Sequence, residues 1–321
     1  MTSHPVAPPP TPPPTPPPTA LPPPPGADLT VRAMCEHYLA AADRRVTRGK
    51  LSAESVANYR LALNPFVAKF GERTAGDLAT ESGAEDVEDW IGGTTWSQST
   101  RHTYLGVVLS AFRHAKLRTH IQRPPKTSRG EGAVVPDERF ASLLAWLRAP
   151  RRGHGPGDLA DLLEALRLTG ARPQELAPLG ADAVNWSAGT ITLSEHKTKK
   201  KTGRDRVVYL SPAALAVFER QRRRHPTGPL FPTYTGRVYT RRAIVKRMLA
   251  ASKALKYRAF AYACRHTFAT AALTAGEPDA IVAELLGHTD TKMIHAHYAH
   301  VSQNAKRLRE AAERASGKRA G

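Results

Sequence analysis

The chain has 321 residues, of which 41% are hydrophobic and 23% charged, as in folded domains with apolar cores. Lys and Arg number 47 against 28 Asp and Glu, and the net charge of +19 either attracts a polyanion such as nucleic acid or serves solubility alone. The two cysteines lie far apart, which excludes a disulfide framework and a paired-cysteine metal site. No apolar stretch approaches the roughly 20 residues of a membrane span and no signal-peptide pattern is present, so we expect a cytoplasmic protein without a membrane partner.

The first 27 residues form a segment of their own, with 14 of the chain's 27 prolines. Repeats of PPPT favour extended polyproline II and contain nothing to build a core. We predict a disordered tail over residues 1–27, and binding to an SH3-like domain is a weaker alternative.

Residues 28–127 follow a helical period. Apolar side chains recur every three or four positions after Thr30, after Ser52 and after Ser97 or Ser99, and each of these residues can cap a helix. A shorter helix is predicted over 85–91, which makes a domain of four or five helices. Basic residues suited to a DNA-facing surface line part of one helix: Arg101, His102, Arg113, His114, Lys116 and Arg118.

A linker is predicted at 123–132, where prolines precede basic residues and glycines. It separates the helical domain from a second domain at 128–316, which is followed by a flexible tail at 317–321. Residues 128–321 contain 33 Lys and Arg against 17 Asp and Glu, whereas 30–127 contain 14 against 10. The excess positive charge therefore belongs mainly to the second domain.

The period changes within the second domain. Helices are predicted at 136–148 and 157–169, but 190–193 and 206–210 alternate as strands do. The polar, basic stretch 196–205 between them predicts a β-hairpin with a long mobile tip. Further helices are expected at 212–223, 240–255, 265–275, 278–286, 291–298 and 303–315.

Arg172 lies between two predicted helices. The first ends at Gly170, and Pro173 opens the second. Glu175 is close enough in sequence to hold the guanidinium group by a charge-assisted hydrogen bond. The pattern indicates either an ordinary ion pair at a helix start or part of an anion-binding site.

Three more residues extend this pattern towards the C-terminus. Arg265 is predicted to open an otherwise apolar helix, where a phosphate could share the guanidinium group and the helix N-terminus. Gly287 ends a helix, and His288 stands in the turn after it. Tyr298 is predicted late on a helix. A turn histidine is usually a surface residue, so the order of the whole set matters more than any one member.

Five sequence blocks, and the order in which they occur, resemble the tyrosine recombinases of the phage-integrase family. The blocks are TGARPQEL, HKTKKKTGRDR, CRHTFAT, ELLGHTD and HYAHV. The resemblance covers about 130–312 and implies a mainly α fold with a small β-sheet, in which a helical, SAM-like core-binding domain precedes an α+β catalytic domain. It implies a site-specific recombinase or integrase of bacterial, phage or mobile-element origin. Such an enzyme cleaves and rejoins double-stranded DNA through a 3′-phosphotyrosyl intermediate, as a tetramer on two DNA sites, without metal, ATP or cofactor.

The resemblance assigns a role to each matching residue. Arg172 and Arg265 fall at two arginine positions, where guanidinium groups bind the scissile phosphate and stabilise its growing charge. Tyr298 falls at the position of the nucleophile, and His288 at one that hydrogen-bonds the phosphate. Lys197 matches the hairpin lysine that protonates the leaving 5′-oxygen. It has three rivals on the same predicted tip: Lys199, Lys200 and Lys201.

Two positions depart from the family pattern. Tyr262 stands three residues before Arg265, where histidine is usual, and a phenol can donate to a phosphate oxygen but cannot act as a base at neutral pH as imidazole does. The neighbouring His266 is expected to point elsewhere on the helix. His288 and Tyr298 are ten residues apart, one more than the commonest spacing.

The sequence near Tyr298 does not predict a metal site, although it is rich in histidine: His295, His297 and His300. Side chains two positions apart on a helix point in different directions, and neither an acidic partner nor an HExxH motif accompanies them.

Two alternatives to a recombinase stay open. A type IB topoisomerase shares the chemistry, and a non-catalytic DNA-binding relic of a mobile element would share the fold. The helical domain and the intact catalytic set favour the recombinase. The last predicted helix either packs on its own domain or contacts a neighbouring protomer.

Overall fold

The computed structural model describes residues 26–127, 134–150, 158–194 and 205–295. The chain divides after Thr127 into two compact units, and each has its own hydrophobic core. The described residues are mainly helical and contain a three-stranded sheet in the second unit, which confirms the predicted fold class. Within these residues, no helix combines the length and apolar character that crossing a membrane requires.

Five helices make up the described part of the first unit: α1 (Val31–Thr47), α2 (Ala53–Phe70), α3 (Ala75–Ala79), α4 (Glu81–Gly92) and α5 (Gln98–His114). Thr30, Ser52 and Ser97 cap α1, α2 and α5, because each side chain accepts a hydrogen bond from a backbone N–H in the first turn. Ser97, and not Ser99, therefore starts α5. The helix predicted over 85–91 begins earlier because Thr80 caps it.

An aromatic cluster holds the first unit together. Phe66 is fully buried, and its ring centroid lies 5.4 Å from that of Phe70, 6.0 Å from that of Trp90 and 6.4 Å from that of Phe112. These rings join α2, α4 and α5. Burying a side chain of this size contributes about 2–3 kcal/mol.

The described part of the second unit contains α6 (Asp137–Arg148), α7 (Asp158–Thr169), α8 (Pro173–Leu176), β1 (Val184–Asn185), β2 (Thr190–Leu193), β3 (Arg206–Tyr209), α9 (Pro212–Arg224), α10 (Arg241–Leu255), α11 (Ala263–Thr274) and α12 (Asp279–Leu286). The predicted helices are confirmed as far as 286. Residues 292–295 are helical, and the rest of the predicted helix over 291–298, as well as the one over 303–315, lies outside the described residues.

The sheet is antiparallel, in the order β1-β2-β3. Both predicted strands are confirmed, and Ile191 pairs with Val208 on the buried face. The hairpin tip lies outside the described residues, apart from position 205. Position 206 shares the buried side with Val208, since side chains two apart in a strand point the same way.

Helix α7 lies at the centre of the second unit and packs against α6, α9 and α11. Its buried Asp161 accepts hydrogen bonds from Arg148 at 3.0 Å, Arg220 at 2.9 Å and Arg224 at 3.0 Å, and also from Gln221. We call these five residues the Asp161 cluster. It ties α6, α7 and α9 together.

Candidate active site

Four of the six predicted site residues belong to the described chain: Arg172, Tyr262, Arg265 and His288. The structure brings them together where α7 ends, α11 begins and α12 ends. The other two, Lys197 and Tyr298, lie outside the described residues, as do the three rival lysines.

Glu175 holds Arg172 in place. Gly170, with a φ of +64°, lets the chain leave α7, and Arg172 then adopts an extended conformation before α8. The Oε2 atom of Glu175 accepts from the backbone N–H of Arg172 at 2.8 Å, and its Oε1 atom accepts from Nη1 at 2.7 Å. The predicted contact is confirmed, and it fixes both the backbone and the guanidinium group of Arg172.

Arg265 joins the two loops that border the site. Its side chain is almost completely buried, and its Nη1 donates to the Gly170 carbonyl at 2.8 Å. Its Nη2 donates to the Leu286 carbonyl at 2.6 Å and contacts Nε2 of His288 at 2.8 Å. A guanidinium group only donates, so this His288 nitrogen accepts, and the proton of the neutral ring lies on Nδ1.

The helix of Arg265 starts two residues earlier than predicted. It begins at Ala263, and its N-cap residue Tyr262 already has helical backbone angles and makes no side-chain capping bond. Arg265 is therefore the third residue of α11. This places its guanidinium group deeper than a first helical residue would reach, beside Gly170 and Leu286.

Positive charge is concentrated at this point. Burial, and then the nearby charge of Arg172, lower the pKa of Arg265 from 12.5 to about 10, so it stays protonated at neutral pH. The charge of Glu175 raises the pKa of Arg265, but this carboxylate already pairs with Arg172. Two neighbouring guanidinium groups with so little negative charge repel each other, and a bound phosphate would relieve that repulsion.

Tyr262 borders the arginines with its ring partly exposed. Its ring centroid is 6.0 Å from Cζ of Arg265, and 38% of the residue is accessible to solvent. The ring also meets that of the buried His266 edge to face, at 5.3 Å. The expectation that His266 points elsewhere is wrong, because residues four apart share one face of a helix.

Arg206 also belongs to the group of side chains around Glu175, and it was not predicted from the sequence. It is the first residue of β3, with only 3% of its side chain exposed, and its Nε lies 3.4 Å from Oε2 of Glu175. Its Nη2 donates to the Leu285 carbonyl at 3.3 Å. The signal in the sequence is a basic residue two positions before Val208, on the buried side of a strand.

His288 stands in the predicted turn after α12. Gly287 ends that helix with a φ of +63°, which an L side chain rarely adopts. A Cβ at this position would also lie 1.7 Å from Nη1 of Arg206. Glycine is therefore needed here both for the backbone and for space.

The basic residues of α5 divide into two groups. Arg101 donates to the Thr94 carbonyl, and Nδ1 of His102 lies 2.6 Å from the Pro124 carbonyl oxygen, so these two support the unit internally. The other four are exposed at the end of α5 and just beyond it: Arg113, His114, Lys116 and Arg118. They remain candidates for a nucleic-acid surface.

No group of three His, Cys, Asp or Glu side chains in the described chain is arranged to hold a metal ion. Nδ1 of His295 lies 3.6 Å from Oδ2 of Asp279. His297 and His300 fall outside the described residues.

Comparison with known proteins gives matches along most of the chain. The sequence model of the phage integrase family matches residues 145–305, half of the chain. Tyrosine recombinase XerC of Pelobacter propionicus is 29% identical over 295 residues, which cover 85% of this chain and 92% of that protein.

Solved structures resemble this fold at low sequence identity. The Tn1549 transposon integrase in complex with a circular intermediate DNA matches with a TM-score of 0.64 and 17% identity, over 89% of this chain and 99% of that one. A lambda integrase dimer bound to a COC′ core site matches with a TM-score of 0.66 and 14% identity, over 85% and 95%. At such identities the likeness is one of fold.

Proposed function

The chain belongs to the phage integrase family of tyrosine recombinases, and we propose that it is a site-specific DNA recombinase that cleaves and rejoins duplex DNA through a 3′-phosphotyrosyl intermediate. The observation that carries this proposal is the position of Arg265 at the end of α7, where it contacts His288 and Gly170 and lies close enough to Arg172 for the charge of Arg172 to lower its pKa. A cluster with more guanidinium groups than carboxylates suits a phosphodiester, whose negative charge grows in the transition state.

The proposed reaction assigns residues to the bond changes and to the leaving group. The phenol oxygen of Tyr298 attacks the phosphorus, the bond from phosphorus to the 5′-oxygen breaks, and the new ester links Tyr298 to the 3′ end. The phenol proton passes to solvent water, and Lys197 protonates the leaving 5′-oxygen. Arg172 and Arg265 bind the non-bridging oxygens. His288 joins them when its Nε2 carries a proton and exchanges Arg265 for a phosphate oxygen. Rejoining runs the same steps backwards.

Arg265 retains donors for this task. A guanidinium group has five N–H donors, and the contacts with Gly170, Leu286 and His288 use three of them. Two N–H groups remain beyond these contacts in the described structure. Arg265 is thus able to hold the walls of the site and to bind a phosphate at once.

Tyr262 supports the phosphate in this proposal and does not act as a base. Its partly exposed hydroxyl-bearing ring borders Arg265, and a phenol donates readily to a phosphate oxygen. Tyr262→Phe is therefore expected to slow cleavage modestly, with the pH dependence unchanged. An unchanged cleavage rate in this variant would refute the role.

Both units take part in the proposed activity. The match to XerC spans 295 residues, so it includes the helical first unit as well as the second. We assign 28–127 as a core-binding domain that contacts double-stranded DNA and 128–316 as the catalytic domain. The exposed basic residues at the end of α5 and the net charge of +19 support DNA as the partner, and we propose a tetramer on two DNA sites.

A nicked suicide duplex, which releases a short fragment on cleavage, tests the proposal. The wild-type protein is expected to form a covalent protein–DNA adduct, and Tyr298→Phe is expected to bind the duplex without forming one. The matched control is Tyr234→Phe, an exposed tyrosine, which should form the adduct normally. An adduct with Tyr298→Phe would place the nucleophile elsewhere, and none with wild type would indicate a non-catalytic relic.

A second measurement separates a recombinase from a type IB topoisomerase. Exchange of strands between two differently labelled duplexes is expected only when both carry the target site. Relaxation of supercoiled DNA without any exchange would favour the topoisomerase.

A further inference from the structure

Arg206 has no part in the steps above, yet it is one of the most deeply buried charges in the described chain. Moving a charged side chain out of water costs several kcal/mol unless close partners compensate. Burial lowers the pKa of Arg206, whereas the charge of Glu175 raises it. A position that accepts such a cost requires a physical reason.

The contacts of Arg206 are long and incomplete. The ion pair with Glu175 measures 3.4 Å and the hydrogen bond to the Leu285 carbonyl 3.3 Å, both beyond the usual optimum. Nε and Nη1 make no hydrogen bond with any residue the structure describes. Nη1 fills the space where a side chain at Gly287 would lie. The guanidinium group is thus wedged between Glu175 and the end of α12.

Glu175 lies between two guanidinium groups. Arg172 approaches through its backbone N–H and Nη1, and Arg206 approaches Oε2 at its Nε. Burial raises the pKa of Glu175, but the charges of Arg206 and then Arg172 outweigh it, so the net shift is downward. Without Arg206, a buried carboxylate would depend on Arg172 alone.

We propose that Arg206 is a positioning residue for the cleavage reaction. Through Glu175 it fixes the guanidinium group of Arg172. Through the end of α12 it fixes the turn that carries His288. This inference rests on the proposed function and adds to it a residue that acts without touching the phosphate.

Arg206 also links the base of the β-hairpin to the loops of the site. Arg206 pairs with Leu193 in the last register position before the tip, which carries Lys197. The strand that supports the tip is therefore anchored on the two loops that bear Arg172 and His288. Displacement at the base of the hairpin would disturb both loops.

The first test measures single-turnover cleavage of the suicide duplex by Arg206→Met. The rate is expected to fall about 10- to 100-fold, because small displacements of catalytic groups are that costly, while DNA affinity changes little. Arg220→Met is the matched control, since it also removes an arginine that pairs with a buried carboxylate, and it should cleave at the wild-type rate. A wild-type rate in Arg206→Met overturns the inference.

A double-variant cycle asks whether Arg206 acts through Glu175. Glu175→Gln should slow cleavage as well, and Arg206→Met combined with Glu175→Gln should be little slower than the slower single variant. If the rate losses of the two single variants multiply in the double variant, Arg206 and Glu175 act independently, and the inference is overturned.

The leaving group distinguishes positioning of Arg172 from support of the hairpin lysine. In a substrate with sulfur in place of the 5′-bridging oxygen, the leaving thiolate needs no proton, because a thiol has a pKa of about 8.5. Lys197→Ala should regain speed on this substrate, and Arg206→Met should not. Rates are compared per folded molecule, so that a loss of overall stability does not count as slower cleavage. An equal recovery of both variants contradicts the inference.

Two outcomes separate this inference from the function on which it rests. If wild type forms no adduct, both fail together. If wild type forms the adduct and Arg206→Met matches it, only the role of Arg206 fails. Should Arg206→Met not fold, Arg206→Lys serves in its place, because an ammonium group keeps the charge but cannot reach both neighbours. A wild-type rate in that variant overturns the inference as well.

Discussion

Two clusters in the second unit combine arginines with buried carboxylates, and they differ in the balance of charge. In the Asp161 cluster three arginines, each 39–44% exposed at the side chain, pair with Asp161, and two of them also pair with the neighbouring Glu164. In the cluster of Glu175 two of the three arginines are buried, and the same single carboxylate contacts Arg172 and Arg206.

This difference in charge balance distinguishes a cluster that can serve packing alone from one that serves function. Solvent screens the half-exposed arginines of the Asp161 cluster, and two carboxylates offset their charge, so the cluster can serve packing alone. The other cluster retains an excess of positive charge in a poorly hydrated place, which packing alone would not favour. Uncompensated buried charge therefore identifies the site more clearly than the number of arginines does.

Arg172→Ala should show the largest effect. Because it removes a donor to the growing charge on the phosphate, single-turnover cleavage is expected to fall about 100- to 1000-fold. DNA affinity measured by gel shift should change far less. Equal losses in cleavage rate and DNA affinity would mean that Arg172 only contacts the DNA backbone. The two clusters would then no longer differ in function.

Asp161→Asn should produce the reverse pattern. Three arginines and Gln221 would lose a charged acceptor, so the free energy of unfolding is expected to fall by about 1–3 kcal/mol. The rate of cleavage per folded molecule should stay at the wild-type value. Chemical denaturation and single-turnover kinetics on the same preparation measure the two quantities, and a slower reaction at unchanged stability would contradict the structural role.

The pH dependence of stability should reveal the carboxylate of the site. Since the folded state lowers the pKa of Glu175 from 4.5, its ionised form stabilises the fold above that pH. This contribution is lost as the pH falls from about 4.5 through the folded-state pKa. The stability difference between wild type and Glu175→Gln should therefore shrink in acid. A difference that stays constant with pH would show that the charge of Glu175 does not stabilise the fold.

Arg220→Ala should have the smallest effect. Its side chain is 39% exposed, and Arg148 and Arg224 also pair with Asp161. We expect a loss of about 1 kcal/mol or less in the free energy of unfolding and no change in cleavage. A larger loss of stability would mean that the three arginines are not interchangeable.

The helix-ending glycines placed Arg172 and His288 in turns, because such boundaries are visible without a structure, and the resemblance to tyrosine recombinases assigned both residues to the site. Arg206 was missed because its partners, Glu175 and Gly287, are distant in the chain and only folding brings them near. The start of α11 was misplaced because Tyr262 makes no side-chain cap that would mark it. Helix α3 and strand β1 are too short to display a period.

The contact between Arg206 and Gly287 also constrains how this protein could evolve. A methyl group at position 287 would overlap the guanidinium nitrogen, so the Arg206 side chain would have to shift or give way to a shorter one. Either change would weaken the support of Glu175. The positive φ of Gly287 also disfavours any other residue, so Arg206 and Gly287 are expected to be retained together among relatives.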